Sequence, residues 1–427
     1  MIFHPRSKAR ELHSFARQVR TLALADRLDR QPVEKTRQRQ LKLLRWILGY
    51  AYENVPYYHR SFDREGLRPG DVRKLEDLSK VPVLRKSQVL GNYPGDIVAR
   101  GHTRGGSFKC RSSGTSGVRG EFLSNWANRD ENYAFLYRLR SWFGYRPNRI
   151  ECVFAFFEAK KHWYQKLGFI KKYDILMSKE PEEVIQELIS ISPDDIWGVP
   201  TYIHYVASRT DSLPVPLLFA LSSGELLDPI ARKEITEKFN CPVVDFYGAA
   251  EAPYISSECP AQEGQHVNVL NTIIEITEDG EELAPGEMGS VTLTTLTNTA
   301  MPLIRYDIGD AATMSPEECS CGRHGPMLTS IEGRDDDFVK TPRGKKPPMM
   351  ARLAVYHPNV RGYRITQESL DRVAIQAIGD LDEETRSTIT EKMRATLENP
   401  DLEVLFEEVD ELRPDPSGKR RIVVCNA

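Results

Sequence analysis

The feature that most constrains the fold is an alternation of short β-branched or aromatic runs with amphipathic helical patterns, from about residue 80 to 330. Residues 150–157 and Val243–Tyr247 have the length and composition of buried strands. Between them, Pro181–Ile191 repeats its apolar residues at helical spacing. Such an alternation is typical of α/β domains, in which helices cover a sheet. We therefore predict an α/β sheet domain here.

Two further regions differ from this pattern. Between Ile273 and Arg305 strand-like runs are separated by turn signals, which predicts a β subdomain at about 270–330. After about residue 340, short strand patterns surround an amphipathic helix at Glu383–Leu397, which predicts a small α+β domain. We expect a large N-terminal domain over residues 1–335 and a small C-terminal domain over residues 336–427.

Charge and hydropathy exclude several classes of protein. The 427 residues contain 58 Lys and Arg against 61 Asp and Glu, so a net charge of −3 gives no overall attraction for nucleic acid. Charges interrupt every apolar run well before the ~18 residues of a membrane span. The N-terminus lacks the apolar region of a secretory signal, so we expect a cytoplasmic protein.

The first fifty residues are the most basic part of the chain, with twelve Lys and Arg against four acidic residues. Apolar residues at helical spacing predict two amphipathic helices on either side of Pro32. Leu12, Phe15, Val19 and Leu22 form the stripe of the first helix, which needs a partner. The helices either pack on their own domain with a solvated basic rim, or form an arm for a membrane surface or nucleic acid.

Seven cysteines in a chain without a signal favour reduced thiols or metal ligation over disulfides. Cys259, His266, Cys319 and Cys321 provide three thiols and one imidazole, the ligand set of a closed tetrahedral Zn²⁺ site. Such a site would be structural, because four protein ligands leave no position for substrate. The alternative is four unrelated reduced residues, and His324 is the nearest rival ligand.

Three polar segments could carry chemistry. Backbone N–H groups and hydroxyls of Ser112-Ser113-Gly114-Thr115-Ser116-Gly117 could wrap a polyphosphate, although a flexible loop has the same composition. In the segment Tyr247–Glu251 a glycine and an acid follow a strand, so the tyrosine ring could pack on a nucleotide base and the carboxylate could bind a cation. The alternative is a buried tyrosine and a surface acid. Asp310 follows another strand end, where a carboxylate can accept hydrogen bonds from a ribose diol.

Taken in order, these segments resemble the adenylate-forming superfamily, and within it the phenylacetate-CoA ligase branch with its CapK-like members. The resemblance covers nearly the whole chain. The motifs that carry it are Asn54-Val55-Pro56-Tyr57-Tyr58, the loop 112–117, the segment 247–251, Pro302-Leu303-Ile304-Arg305-Tyr306-Asp307-Ile308-Gly309-Asp310, Cys319-Ser320-Cys321-Gly322-Arg323, Gly333-Arg334-Asp335-Asp336-Asp337 and Ser417-Gly418-Lys419.

The resemblance implies that the large domain is an adenylation domain that binds ATP and a carboxylic acid, and that the small domain is a lid that turns on a hinge. It also implies roles for single residues, with Lys419, Glu251 and Arg334 as the catalytic group. The loop Ser112 to Gly117 would enclose the ATP phosphates, and Glu251 would bind Mg²⁺. The adenine would be held by Ser223, Gly224, Glu225, Tyr247 and Gly248. Asp310 would bind the ribose, Arg334 would lie near the ribose and hinge, Asp336 would be the hinge, and Lys419 would reach the carboxylate and α-phosphate.

Two features depart from the family pattern. Val118 and Arg119 follow the phosphate loop where many relatives have a lysine, and Ala250 replaces the usual threonine before the glutamate. In some relatives cysteines and a histidine at similar positions bind zinc, which supports the four-ligand set described above.

We expect ATP-dependent formation of an acyl-adenylate and transfer of the acyl group to an acceptor, most commonly CoA. An amide or ester ligase, with an amine or hydroxyl acceptor, is the close alternative, and residues 361–367 have a CapK-like character. A catalytically impaired relative that binds nucleotide or a protein is a third hypothesis, motivated by Ala250 and by the missing lysine of the phosphate loop. Aromatic residues at 162–164 and 197–202 could line the acid pocket or belong to the core, and a homodimer is left open.

Overall fold

The structure is a computed structural model of the 427-residue chain. It describes residues 8–111, 120–146, 148–155, 158, 171–334, 338–346, 348–357, 359–410, 412 and 422–427, without the side chains of 8–11, Arg334, Met349 and Arg361. The chain divides into a larger unit, Met1–Ile308 with Ala312–Ser330, and a smaller unit, Gly309–Ala311 with Ile331–Ala427. None of the helices in the described ranges has the length and apolar composition to cross a membrane.

The helices of the larger unit begin at positions that suit their first turns. Proline is the first residue of several, where its missing N–H costs nothing, and Asp228 caps another by accepting from the Ile230 N–H at 2.8 Å. These helices are α1 Lys8–Arg30, α2 Val33–Asn54, α3 Pro56–Arg64, α4 Lys86–Gly91, α5 Trp126–Trp142, α6 Pro181–Ile191, α7 Pro200–Ala207 and α8 Pro229–Phe239, with 3-10 turns at Pro69–Asp71 and Leu75–Lys80.

Its strands form a two-stranded hairpin and a twelve-stranded sheet. The hairpin is β1 Phe108–Arg111 and β2 Glu121–Ser124. The remaining strands are β3 Ile150–Ala155, β4 Lys171–Leu176, β5 Asp195–Gly198, β6 Phe219–Ser223, β7 Val243–Tyr247, β8 Ser256–Glu258, β9 Gln265–Val267, β10 Thr272–Glu278, β11 Glu281–Glu282, β12 Met288–Thr295, β13 Tyr306–Met314 and β14 Met327–Arg334. Their order in the sheet is 11-10-12-13-14-9-8-7-6-5-3-4.

Strands β3 to β7 pair in parallel, and β8, β9 and β14 extend them with antiparallel pairs. One face of the parallel part packs Ile203 and Phe239 of the crossover helices onto the sheet. The other face packs Phe135 and Leu139 of α5 against Phe219. Burying each such side chain contributes ~1.5–3 kcal/mol, so the parallel strands are fixed on both faces. The α/β prediction is confirmed.

The orientation of α1 differs from the prediction. Helix α1 packs against α5, with Ser14, Gln18 and Thr21 among its buried residues, and the Ser14 hydroxyl donates to Asp130 at 2.6 Å. Leu12 and Val19 are 55% and 53% exposed. The helix thus packs on its own domain, as one of the two alternatives predicted, but Leu12 and Val19 of the stripe remain exposed. The physical reason is that α5 presents charged Asp130 and Arg138 to α1, and these bind Ser14 and Asp29 on the buried side of the helix.

The smaller unit contains a four-stranded sheet in the order 19-18-17-20, a short hairpin and two helices. Its elements are β15 Val339–Thr341, β16 Gly344–Lys346, α9 Pro348–Val355, β17 Val360–Ser369, β18 Arg372–Gly379, α10 Glu383–Leu397, β19 Glu403–Glu408 and β20 Val423–Cys425. Buried Ile389 and Met393 of α10 and Ile365 and Ile375 of the sheet form its core. The helix predicted at 383–397 has these bounds.

Candidate active site

The two segments predicted to bind adenine lie at the carboxyl ends of two adjacent parallel strands. In the register of β6 and β7, Ser223 is opposite Phe246, so Ser223 and Tyr247 end neighbouring strands. Gly224 follows with φ +90°, a conformation that favours glycine. Ligands of open α/β sheets bind outside the carboxyl ends of the strands, and these residues stand at that edge.

A tight turn places Glu251 at the same edge. The Ala249 N–H donates to the Ala252 carbonyl at 3.0 Å, and the Ile255 N–H donates to the Tyr247 carbonyl at 3.0 Å. A Cβ on Gly248 would lie 2.1 Å from the Pro253 carbonyl oxygen, so a larger residue would break this turn. The glycine in the tyrosine-to-glutamate segment is therefore needed for the close approach of the two ends of the turn.

The Glu251 carboxylate is buried beside two polar groups. Its side chain is 6% exposed and has Lys86 Nζ 3.8 Å from Oε1. The Tyr306 hydroxyl donates to the same oxygen at 3.3 Å. Sequence analysis missed Lys86, which is three-quarters buried at the start of α4. When ligands arrive, such a carboxylate can bind a metal ion in place of the cation, and the cation can bind a phosphate group.

Long-range contacts fix the segment that carries Lys86. Buried Arg305 donates through Nη1 to the carbonyls of Ser79 and Val81 at 3.0 and 2.8 Å, and it pairs with Glu275 at 3.1 Å. The Leu84 N–H donates to the Arg305 carbonyl at 2.8 Å. The guanidinium therefore holds residues 79–84 against β13, and Lys86 follows two residues later.

The motif at 54–58 is hydrogen-bonded to the motif at 302–310. The Tyr58 hydroxyl donates to the Pro302 carbonyl at 3.0 Å and accepts from the Ile304 N–H at 3.0 Å. Burial raises the pKa of Tyr58 far above its usual value, so its hydroxyl stays protonated and makes both bonds. Two motifs that are distant in sequence thus form one support for Tyr306 and Glu251.

A cavity borders Glu251 on the side of the β1–β2 hairpin. Its walls include Cys110, Phe122, Ala250 and Tyr254, and its polar residues include a chain of hydrogen-bonded amides. Asn271 donates to Asn132 at 2.9 Å, and Asn132 donates to Asn128 at 3.2 Å. Burial, followed by the nearby Glu251 charge, raises the pKa of the Cys110 thiol to about 12. Cys110 is therefore protonated at neutral pH and is no nucleophile here.

The four predicted zinc ligands lie together in the larger unit. Their ligand atoms are all within 4.8 Å of one another, with Cys259 Sγ 3.6 Å from Cys319 Sγ and Cys321 Sγ 3.3 Å from His266 Nε2. A tetrahedral site with Zn–S ~2.3 Å and Zn–N ~2.05 Å has edges of about 3.8 and 3.5 Å. These two separations are close to the ideal edges, and three thiols with one imidazole are a donor set that fits zinc.

An aromatic wall closes the cysteine cluster. The Trp142 ring lies 5.8 Å from the His266 ring, edge to face, and the Arg323 guanidinium lies 4.4 Å above the Trp142 ring. Burial, followed by the charges of Arg138 and Arg323, lowers the pKa of His266 to about 4. His266 is therefore neutral at pH 7, the form that ligates a metal. His324 pairs instead with Glu318 at 3.7 Å.

The other predicted site residues are described only in part. The loop Ser112 to Gly117, Asp336 and Lys419 lie outside the described residues, as do the aromatic residues 162–164. The backbone of Arg334 ends β14, and its side chain is outside the description. Asp310 lies on β13, in the part that belongs to the smaller unit. Their functional roles stay predictions.

A buried carboxylate beneath the site leads to a prediction on stability. Asp245 of β7 accepts from the Gln265 amide at 2.8 Å, and burial, with the nearby Glu258 charge, raises its pKa to about 7. A carboxyl whose pKa is raised by folding stabilises the fold fully at low pH and loses this contribution as pH rises through about 7. We expect Asp245→Asn to flatten the fall in unfolding free energy between pH 5 and 8, measured by urea titration.

The control for this prediction is Asp211→Asn, because Asp211 is fully exposed and pairs only loosely with Lys238, at 3.5 Å. It should leave the pH profile as in the unmodified protein. Parallel profiles for Asp245→Asn and the unmodified protein would contradict the assignment. Some slope will remain in either case, because burial also raises the pKa of Glu275 to about 7 and that of Asp195 to about 6.

Comparison with known proteins decides the family. The phenylacetate-coenzyme A ligase of Escherichia coli (strain K12) is 30% identical to this chain over 341 residues, which are 74% of this chain and 74% of the relative. The chain belongs to the phenylacetate-CoA ligase family of adenylate-forming enzymes. Protein CapK of Staphylococcus aureus is 24% identical over 256 residues, 57% of this chain and 55% of that protein. No protein-family model matches the chain.

A solved structure agrees in fold with this adenylate-forming ligase. A 2-hydroxyisobutyryl-CoA ligase in the postadenylation state aligns with a TM-score of 0.79 over 94% of this chain and 91% of its own. At 21% sequence identity this likeness shows the fold alone. The predicted family and its fold are confirmed.

Proposed function

We propose that this chain uses ATP to activate a carboxylic acid as an acyl-adenylate and then transfers the acyl group to the thiol of CoA. The observation that carries the proposal is the strand-end cluster of Ser223, Tyr247 and Glu251 in a chain 30% identical to a phenylacetate-coenzyme A ligase. An aromatic or other small carboxylic acid is the substrate class proposed. CoA is the proposed acceptor because relatives and structural neighbours carry it in their names.

The proposed reaction has two steps. A carboxylate oxygen of the acid attacks the α-phosphorus of ATP, and pyrophosphate leaves with the bonding electron pair. The CoA sulfur, after losing its proton, then attacks the acyl carbon, and AMP leaves. Activation is needed because a carboxylate is a poor electrophile, whereas the mixed anhydride contains a good leaving group. On the family pattern, Lys419 and Arg334 stabilise the charge that develops in the first step.

Glu251 is the residue proposed to hold Mg²⁺. A single buried carboxylate suits this ion, which usually takes one or two protein carboxylates and completes its ligands with phosphate oxygens and water. When bound, Mg²⁺ supplies charge neutralisation for the phosphates of ATP. The Tyr306 hydroxyl holds Oε1 of Glu251 in a fixed direction, and Ser223, Gly224, Glu225, Tyr247 and Gly248 form the proposed adenine segment.

Lys86 is proposed to bind a phosphate oxygen beside Glu251. An ammonium at 3.8 Å from the carboxylate is close enough for both to face one bound polyphosphate. We expect Lys86→Ala to raise the KM for Mg·ATP by roughly tenfold or more, a loss of ~1.4 kcal/mol in binding, as measured by pyrophosphate exchange. Lys233→Ala, which removes an exposed lysine 4.0 Å from Glu237 on α8, should leave the KM unchanged. Equal KM values for the two variants would exclude this role.

Zinc is proposed as a structural ion held by Cys259, His266, Cys319 and Cys321. The ligand-atom separations and the softness of three thiolates support zinc over magnesium or calcium. The cluster joins the β8–β9 hairpin to the loop between β13 and β14, so the metal would cross-link this side of the larger unit. It takes no part in the proposed reaction.

The test of the proposed function is formation of acyl-CoA from ATP, CoA and a panel of acids, followed by mass spectrometry. Phenylacetate and its ring-substituted analogues, short 2-hydroxy acids and fatty acids form the panel. A thioester from one class supports the proposal and defines the acid. An adenylate that reacts with added amines or hydroxyl compounds but not with CoA would support the amide or ester ligase instead. Failure to form any adenylate would favour the impaired relative.

A further inference from the structure

Two side chains beside the proposed adenine segment form hydrogen bonds with it. The Trp197 indole N–H donates to the Ser223 hydroxyl oxygen at 2.8 Å. The Thr201 hydroxyl donates to Glu225 Oε2 at 2.6 Å. Both donors come from residues 197–201, the corner between β5 and α7, which we call the brace.

The backbone of the brace fits closely beneath the segment. Val199 Cγ1 would lie 3.5 Å from a Cβ on Gly224, the residue between the two bonded side chains. At Gly198 a Cβ would lie 2.9 Å from the Phe154 ring, so only glycine allows the corner to pass this close to β3. The corner therefore lies between the core, which it contacts at Gly198, and the segment, which it contacts at Val199.

The position of Trp197 is fixed by a buried charge cluster. The guanidinium of Arg140 lies 5.9 Å from the Trp197 ring and is itself held between Glu151 and Asp195, the latter at 3.1 Å. Trp197 is opposite Leu221 in the register of β5 and β6, two residues before Ser223. Its indole N–H is thus aimed at the end of the neighbouring strand by a rigid support.

Thr201 acts at the other end of the segment. It lies in the first turn of α7, where backbone N–H groups and the helix dipole favour a nearby carboxylate. The Glu225 carboxylate accepts the Thr201 hydroxyl there. Tyr202 does not contact the segment in this way; its ring packs edge to face on Phe154 at 5.2 Å and belongs to the core. Residues 197–202 are thus split between a support and the core.

We propose that Trp197 and Thr201 are positioning residues that hold Ser223–Glu225 in the shape that binds the nucleotide base. This inference rests on the proposed function, which assigns the segment to adenine. Pre-organised groups bind a ligand more tightly because less conformational freedom is lost on binding. Loss of either bond weakens binding of the base equally in the ground and transition states, so KM rises while kcat is retained.

The experiment measures AMP and pyrophosphate binding by calorimetry, and the KM for ATP in exchange, for Trp197→Phe, Thr201→Val and Thr201→Ser. Loss of one hydrogen bond should raise the Kd for AMP and the KM for ATP by roughly two- to tenfold. The Kd for pyrophosphate, which lacks the base, should stay within about twofold. Thr201→Ser retains the hydroxyl and should behave as the unmodified protein. Trp46→Phe, at a half-exposed indole on α2, is the matched control.

The outcomes separate the two proposals. Unchanged AMP binding in both Trp197→Phe and Thr201→Val, with the unmodified protein active, would overturn the positioning role of the brace and leave the proposed function intact. Equal weakening of AMP and pyrophosphate binding would also overturn it, because a general structural defect affects both ligands. An unmodified protein that binds AMP without exchange contradicts the proposed reaction, whereas selective loss of AMP binding in the variants would still support the brace. An unmodified protein that binds no AMP overturns both.

Discussion

Glu251→Gln is expected to reduce acid-dependent ATP–pyrophosphate exchange by roughly 100-fold or more, which corresponds to ~2.7 kcal/mol of transition-state stabilisation. Glutamine keeps the size of the side chain and an oxygen for the Tyr306 hydroxyl, which donates to Glu251 at 3.3 Å. It removes the negative charge that is proposed to bind Mg²⁺ and that lies 3.8 Å from Lys86. The turn and the fold should therefore survive while the metal-dependent step fails.

Two measurements distinguish this loss from unfolding. The variant should require much more Mg²⁺ for half-maximal exchange, and its thermal unfolding should remain within a few degrees of that of the unmodified protein. Glu282→Gln, at an exposed residue of β11, is the matched control and should change neither quantity. Activity of at least half the normal rate in Glu251→Gln, with an unchanged requirement for Mg²⁺, would show that the carboxylate does not hold the metal.

The second large effect is expected at the cysteine cluster. Protein purified without chelators should contain about one zinc per chain, and Cys259→Ser should lose most of it, because a hydroxyl is a poor replacement for a thiolate. Metal binding of this kind contributes directly to folding free energy. The variant should therefore unfold at a temperature lower by roughly 5 °C or more. Elemental analysis and thermal unfolding measure the two effects.

A matched variant and a spectroscopic signal complete this test. Cys425→Ser removes a thiol outside the cluster, which contacts Gln367 at 3.4 Å, and should leave the zinc content unchanged. Because the Trp142 ring lies 5.8 Å from that of His266, removal of zinc by a chelator should change the fluorescence of the unmodified protein and much less that of Trp142→Phe. Protein that contains no zinc after expression in a zinc-containing medium would contradict the proposal that this cluster binds zinc.

Local patterns predicted the regular elements well. Pro181–Ile191, Val243–Tyr247 and Glu383–Leu397 have the predicted bounds, because apolar spacing and flanking turn residues act within a few positions of each element. The exposure of Leu12 and Val19 on α1 could not be predicted, for the opposite reason. The side of this helix that is buried depends on Asp130 and Arg138 of α5, more than a hundred residues away, and no pattern within α1 contains that information.

The candidate site divides in the same way. Glu251 could be recognised because it follows a strand and a glycine within one short segment. Lys86 could not, since its position beside Glu251 depends on Arg305, which holds residues 79–84 from more than two hundred positions away. The hydrogen bonds of Trp197 and Thr201 likewise follow from the pairing of β5 with β6, which places two chain corners together. The cysteine cluster was predictable from ligand chemistry, and its geometry only from the fold.

The most direct test of the central claim is carboxylate-dependent ATP–pyrophosphate exchange across aromatic acids, fatty acids and amino acids. Lys419→Ala, which the family pattern places at the carboxylate and α-phosphate, serves as the blank. We predict Mg²⁺-dependent exchange with one class of acid and none in the blank. Protein that binds ATP but shows no exchange with any acid would contradict adenylate formation, and exchange equal in Lys419→Ala would contradict the role of the lysine.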